Sequence, residues 1–197
     1  MIEKVVAGIQ RGEVVILPLE HSYVYACDAF GFAAVNRLHQ LRNDPKGVAA
    51  QVLIGKARTL SGLAQGLTAN VSKLAEEFWP GLLTLNLPQN QSLSWDLGDG
   101  GYLKNFAVRM PNQKQTLEVL NATGPLAIAS ATVAGEAPVR TAANPHRLDI
   151  LDIGELESGP LSTVVVQTGE KLLLSRVGAI TLEDLRKVDS AIELAKE

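Results

Sequence analysis

Four short stretches of the sequence place polar or charged side chains directly after apolar runs. They are ILPLEHSYVYACDA (16–29), VRMP (108–111), LAIASATVAGEAP (126–138), and LSTVVV with LLLSRVG (161–178). The guanidinium groups of Arg109 and Arg176 are suited to pair with a carboxylate or phosphate, to which the hydroxyls of Ser130 and Ser162 can donate. Ligands of open α/β sheets bind beyond the carboxyl ends of strands. Together the stretches predict a site for an anionic ligand.

A structural alternative stays open for each of these side chains. An ion pair of Arg109 with Glu20 or Asp28 competes with ligand binding, and the two serines equally suit strand-end caps. Arg42 ends a predicted helix, where the helix dipole favours a cation as much as a phosphate would. For His21, a packed or exposed ring is the alternative to catalysis.

Other catalytic signals are missing from the sequence. It contains no GxxxxGK[ST] phosphate loop, and GDGG at 98–101 predicts a turn. The three histidines are scattered and there is one cysteine, so no zinc site is predicted. No residue is assigned as catalytic, and no set of metal ligands is predicted.

Composition indicates an ordinary globular chain. Its 197 residues fit one domain, taken as 1–197, and no apolar run approaches the roughly 18 residues of a membrane helix. The single Cys27 fits a reducing cytoplasm. A net charge of −3 argues against binding nucleic acid by bulk charge, but leaves a local basic groove open.

The elements that must position these side chains alternate along the chain. Apolar periodicity predicts helices at 2–10, 33–41, 68–78, 114–121 and 181–196. Thr68 and Thr181 are predicted to cap the helices that begin with them. Strands are predicted at 14–19, 51–54, 82–87, 106–110, 126–129, 150–153, 162–167 and 172–174. The FWPG step at 78–81 is predicted to be scaffold, with Trp79 on the core. Such alternation predicts an α/β fold with a mainly parallel or mixed twisted sheet.

The four stretches, with FWPGLLTLNL at 78–87, resemble the YrdC-like family of threonylcarbamoyl-AMP synthases. The similarity runs in order from Pro18 to Gly178, nearly the whole chain. Its matching positions are Pro18, Glu20, Tyr23, Cys27–Asp28–Ala29, Pro45, Phe78–Trp79–Pro80–Gly81, Leu83–Thr84, Arg109, Pro111, Ser130–Ala131, Gly135, Ser162–Thr163–Val164, Arg176 and Gly178.

The resemblance implies a single-domain YrdC-like fold, with a twisted mixed sheet, helices packed outside and a concave ligand cleft. It implies synthesis of threonylcarbamoyl-AMP from L-threonine, bicarbonate and ATP, with a Mg-bound triphosphate and release of pyrophosphate, for adenosine modification in tRNA. Some relatives bind double-stranded RNA. Carried over by position, the implied substrate- and nucleotide-binding residues are Arg42, Arg109, Ser130, Thr132, Ser162 and Arg176, with Glu20, His21, Ser22, Lys46 and Lys56 as further candidates.

The chain departs from the family pattern where the chemistry would occur. Leu19 and His21 replace threonines, Val24 replaces a glycine, and Thr132 and Ala134 replace an asparagine and a serine. Asp44 stands where the family has a second cation. Reversing that charge near a triphosphate changes the sign of an interaction of roughly 4 kcal/mol at about 4 Å and a dielectric near 20.

These departures leave two questions open. Lys46, Lys56 or Arg58 could replace the lost cation if their loop folds back, or else form a solvated rim. The alternative to a synthase is a non-catalytic paralogue that binds double-stranded RNA, tRNA or a nucleotide. A contiguous positive surface around Arg42, Arg109 and Arg176 would favour RNA. A small-molecule enzyme that reuses the fold is a weaker hypothesis.

Overall fold

One continuous ten-stranded sheet forms the centre of the computed structural model, which describes residues 1–195. The strands are β1 (Val15–Pro18), β2 (Tyr23–Asp28), β3 (Gln51–Leu53), β4 (Leu83–Pro88), β5 (Asn105–Arg109), β6 (Leu126–Ser130), β7 (Asp149–Ile150), β8 (Thr163–Thr168), β9 (Lys171–Arg176) and β10 (Glu193–Leu194). Their order across the sheet is β10-β9-β8-β4-β5-β3-β6-β2-β1-β7. Parallel and antiparallel pairs are interspersed, so the sheet is mixed, as predicted.

Six helices pack around this sheet. They are α1 (Ile2–Gln10), α2 (Phe32–Arg42), α3 (Leu60–Leu63), α4 (Ala69–Phe78), α5 (Lys114–Thr123) and α6 (Leu182–Val188), and a 3-10 turn (Ala57–Thr59) precedes α3. Within residues 1–195, no helix has the length and apolar character needed to cross a membrane.

Two hydrophobic cores lie on opposite faces of the sheet. Successive side chains of a strand point to opposite faces. Accordingly, Ile16 joins the larger core, whereas Val15 and Leu17 on either side of it join the smaller one. Helices α2, α4 and α6 supply the larger core, and α1 and α5 supply the smaller one. The two helices on the smaller side cover only part of their face.

The predicted caps and the FWPG scaffold are present. The Thr68 hydroxyl accepts a hydrogen bond from the Val71 amide at 3.4 Å, and Thr181 accepts one from Asp184 at 3.1 Å. Trp79 is buried in the larger core, where its Nε1 donates to the Leu83 carbonyl at 2.7 Å. Local sequence chemistry therefore located the starts of two helices and the turn into β4.

The prediction of a helix from 181 to 196 was wrong over its second half, and residue 196 lies outside the described residues. Helix α6 ends at Val188, and β10 then pairs with β9. The Asp189 side chain accepts hydrogen bonds from the Ala191 amide and from Asn70 Nδ2, which favours a turn over a further helical turn. Ile192 is buried after this turn, while Leu194 stays exposed.

Cys27 lies in the interior of the larger core and generates a prediction about reactivity. Burial, helped by the neighbouring Asp28 carboxylate, raises the pKa of its thiol to about 12. Only a thiolate attacks a disulfide reagent. At about pH 8.5, where an exposed cysteine is half ionised, the folded protein should therefore resist labelling by an aromatic disulfide reagent.

The measurement is the rate of thiol labelling, followed by absorbance and intact mass. The same protein in guanidinium chloride should label rapidly and stoichiometrically. Equally rapid labelling of the folded protein would contradict the burial described for Cys27.

Candidate active site

A cleft of about 580 Å³ occupies the part of the sheet face that α1 and α5 leave uncovered. Strand register puts its polar floor on one face: Val24 lies opposite Ser130, Ile128 opposite Gln51, and Leu53 opposite Arg109. Directly paired residues of neighbouring strands point to the same side. Val24, Leu53 and Ile128 belong to the smaller core, so the cleft floor continues that core into solvent.

The position of the cleft corrects one expectation from the sequence. Arg109 ends β5 and Ser130 ends β6, but these two strands run in opposite directions, since β3 is parallel to β5 and antiparallel to β6. Their carboxyl ends consequently do not meet at one edge of the sheet. The predicted side chains converge because they share a face.

Arg109 is the most buried arginine of the cleft. Its side chain is 5% exposed, and its Nη1 donates to the Glu20 carboxylate at 3.0 Å. The other Glu20 oxygen accepts the Asn112 amide at 2.7 Å. Burial lowers the pKa of Arg109, the Glu20 carboxylate opposes that change, and the nearby charge of Arg176 lowers the pKa further. An anion bound between the two guanidinium groups would relieve their repulsion.

Arg176 forms the second cationic position and is held by Ser162. Its Nε and Nη2 donate to the Ser162 carbonyl at 3.1 and 2.9 Å, and Nη2 also lies 2.9 Å from the Ser162 hydroxyl. That hydroxyl bonds to Thr84 at 2.9 Å, and Gln51 donates to Thr84 at 3.1 Å. Among the described residues Arg176 forms no ion pair, which leaves its charge available to a ligand.

Asp44 is paired instead of facing the cleft as a free anion. Its side chain is 3% exposed and lies 3.0 Å from Arg42 Nε and 2.8 Å from His39 Nδ1. Arg42 Nη1 also donates to the carbonyls of Ser130 and Thr132, which ties the end of α2 to the end of β6. His39 Nε2 reaches the Leu97 carbonyl at 2.8 Å. Asp44 therefore holds the two α2 side chains that reach the end of β6 and Leu97.

The cleft carries an excess of positive charge. Its lining contains the arginines Arg42, Arg109, Arg140 and Arg176 and the carboxylates Glu20 and Asp44, a formal sum of 4 − 2 = +2. The whole chain has a net charge of −3. Positive charge is thus concentrated in this concavity, where partial burial strengthens its attraction for an anion.

The remaining predicted residues separate into two groups. His21 and Ser22 line the cleft, next to Glu20. Lys46 is exposed in a turn outside the lining, and Lys56 and Arg58 line a separate cavity of about 240 Å³. Their loop does not fold back over the cleft. Thr132 also lies outside the lining, where its buried Oγ1 has no hydrogen-bond partner within residues 1–195.

Sequence reasoning missed His39, Arg140, Thr84 and Gln51. A signal existed for Thr84: in LTLNL the leucines alternate with polar residues, and the alternate face of β4 is the cleft face. The contacts of His39 and Arg140 join segments that are distant in sequence, so no local pattern indicated them.

The described residues contain no cluster of three metal-ligating side chains. Both cleft carboxylates are committed to arginines. Within residues 1–195, the cleft therefore offers no carboxylate that is free of an arginine to a Mg²⁺ ion. Mg²⁺ is commonly bound mainly through substrate phosphates and water.

Comparison with known proteins places this geometry among the Sua5, YciO and YrdC proteins. Their family model, described as "Telomere recombination", matches residues 7–178. A Mycobacterium tuberculosis (H37Rv) protein provisionally named threonylcarbamoyl-AMP synthase is 32% identical over 189 residues, which cover 93% of this chain and 86% of that protein.

Two Pyrococcus abyssi comparisons extend the similarity. A threonylcarbamoyl-AMP synthase of that organism is 31% identical over 200 residues, or 97% of this chain. The structure of P. abyssi Sua5 complexed with L-threonine superposes with a TM-score of 0.89 at 29% identity, over 98% of this chain. In both comparisons the chain spans 58% of the longer Pyrococcus protein.

The Asp44 contacts generate a stability prediction. Replacing Asp44 with Asn removes the charge that Arg42 Nε donates to and that lies 2.8 Å from His39 Nδ1, so Asp44→Asn should lower the free energy of unfolding by about 1–3 kcal/mol. The measurement is urea unfolding followed by circular dichroism.

Asp184→Asn is the matched control, because Asp184 pairs with Lys187 on the exposed surface. Its unfolding midpoint should stay near that of the wild type. An Asp44→Asn midpoint equal to that of the control would show that the buried contacts contribute nothing to stability.

Proposed function

The chain belongs to the Sua5/YciO/YrdC family, and we propose that it is an L-threonylcarbamoyladenylate synthase. The reaction joins L-threonine, bicarbonate and ATP into threonylcarbamoyl-AMP and releases pyrophosphate. The observation that carries the proposal is the cleft of about 580 Å³ with a formal charge of +2 in a chain of net charge −3. Each substrate brings an anionic group to be bound there.

Arg176 and Arg109 are the proposed anion-binding pair. Ser162 orients Arg176, and Glu20 holds Arg109, so neither guanidinium must be ordered when a ligand enters. Arg42 Nη2 forms no hydrogen bond within residues 1–195 and offers a further donor on the cleft wall. Phosphate and carboxylate oxygens both suit such donors.

Ser130, Ser162 and Ser22 are proposed to add neutral hydrogen-bond donors. All three line the cleft. A carboxylated amine is labile in water, and the apolar floor formed by Val24 and Ile128 helps to exclude water from the cleft. Within the proposal, Thr132 acts only through its carbonyl, which accepts from Arg42.

Asp44 does not argue against the synthase function. Its charge is matched by Arg42 and lies near His39, so it does not meet a triphosphate as an uncompensated anion. Arg140 also lines the cleft, where it pairs with the exposed Glu155 carboxylate at 2.6 Å. The cations proposed to bind a triphosphate are therefore Arg176 and Arg109, without Lys46 or Lys56.

The burial of Arg109 weighs against the RNA-binding alternative. Arg109 is 4% exposed, so the arginine cluster is a cleft and not a contiguous surface against which a duplex could lie. A concavity of this volume suits a small ligand. We place transfer of the product to tRNA adenosine, and a cytoplasmic location, within the same proposal.

The test is pyrophosphate release by the purified protein with Mg-ATP and bicarbonate, with and without L-threonine. Wild-type release should depend on threonine. Arg176→Ala should lower kcat/KM by at least about tenfold, since a hydrogen bond to a charged group contributes about 1.5–3 kcal/mol.

Arg37→Ala supplies the control, because Arg37 is an exposed arginine on α2 outside the cleft lining. It should retain wild-type activity. No threonine-dependent release by the wild type, together with no calorimetric binding of ATP, would overturn the proposal.

A further inference from the structure

One exposed segment crosses the mouth of the cleft and is pinned at both ends. This strap comprises residues 157–160, all exposed. On its N-terminal side Leu156 is buried and exchanges two hydrogen bonds with Arg140, at 2.9 and 3.2 Å. On its C-terminal side the Leu161 carbonyl accepts the Ala179 amide at 2.9 Å, and Ser162 is held by Arg176.

Between these anchors the strap touches the cleft wall through His21. Within residues 1–195 the strap forms a single hydrogen bond, which joins His21 Nδ1 to the Glu157 carbonyl at 3.0 Å. A carbonyl only accepts, so His21 Nδ1 carries a proton and donates.

Gly159 packs against the same imidazole ring. A Cβ placed on Gly159 would lie 2.3 Å from both Cε1 and Nε2 of His21, closer than real Cβ atoms approach. The backbone of Gly159 is not in the left-handed region, so the ring, and not the φ angle, requires glycine here.

His21 also follows directly on Glu20, the partner of Arg109. Consecutive residues thus contact the cleft floor and the strap above it: Glu20 holds the buried guanidinium at 3.0 Å, and His21 holds the Glu157 carbonyl. Ser158, Gly159 and Pro160 line the cleft from the strap side.

We propose that His21 is a positioning residue that latches the strap over the cleft, and that the strap opens at this contact to admit ligand and closes over it. The inference rests on the proposed function for the identity of that ligand. One hydrogen bond and one ring contact are few enough for local opening without unfolding of the sheet.

The test is limited proteolysis with a glutamyl endopeptidase, which cleaves after Glu157 only when the strap opens. His21→Ala should speed this cleavage about 2- to 10-fold, the range expected for loss of one neutral hydrogen bond. Cleavage after Glu170, in the exposed turn between β8 and β9, is the internal control and should not change. Unchanged cleavage after Glu157 in His21→Ala would overturn the latch.

Two further variants separate a latch from a general loss of structure. His21→Asn retains a donor at the position of Nδ1 and should recover part of the protection. Gly159→Ala should speed cleavage in the wild type because its methyl group meets the ring, but should have little further effect in His21→Ala. Equal effects of Gly159→Ala in both backgrounds would contradict the ring contact.

Ligand dependence distinguishes the latch from the proposed function. Mg-ATP with L-threonine should slow cleavage of the wild type after Glu157, and His21→Ala should raise KM more than it lowers kcat. Faster cleavage of His21→Ala with no protection by these substrates would support the latch but overturn their assignment as its ligands.

Discussion

The burial of the Arg109 guanidinium is the constraint on which the site depends. Removing a charge from water is costly unless an opposite charge and hydrogen bonds replace the solvent. Glu20 provides both, at 3.0 Å, from the turn after β1, whereas Arg109 ends a strand four places away in the sheet. This pair therefore holds the turn over the floor, and in doing so it places His21 and Ser22 on the cleft wall.

A second ionic cluster stabilises the opposite wall. Arg42, Asp44 and His39 connect the end of α2 to the end of β6 and to the Leu97 carbonyl. In each wall a carboxylate is used to hold an arginine and not to bind a ligand. An anionic substrate would meet the remaining positive charge, above all that of Arg176. The site tolerates Asp44 because its carboxylate holds Arg42 and does not face the ligand.

Local patterns predicted much of the fold and the membership of the site. Helix α1 coincides with its predicted bounds, and eight cleft residues were candidates, among them Arg109 and Arg176. The ion pair of Arg109 with Glu20 was one of two alternatives for that side chain. The sequence could not show strand direction. Because β2 pairs antiparallel with β6, the polar residues of these strands share a face of the sheet and not one edge.

Contacts that depend on a backbone turn or on segments distant in sequence limited the prediction elsewhere. Asp44 was interpreted by the sign of its charge alone, because His39 Nδ1 and Arg42 Nε become its neighbours only when α2 ends in a turn. The closeness of Gly159 to His21 spans 138 positions, and no periodicity encodes such a contact. The second half of the helix predicted for 181–196 failed because the Asp189 side chain favours a turn.

The most direct test of the central claim is a crystal structure of the protein with L-threonine and a non-hydrolysable ATP analogue. We expect triphosphate density in the cleft, with oxygen atoms at about 2.7–2.9 Å from nitrogens of Arg176 or Arg109. Density for the nucleotide elsewhere on the protein, with the cleft filled only by water at saturating ligand, would contradict it.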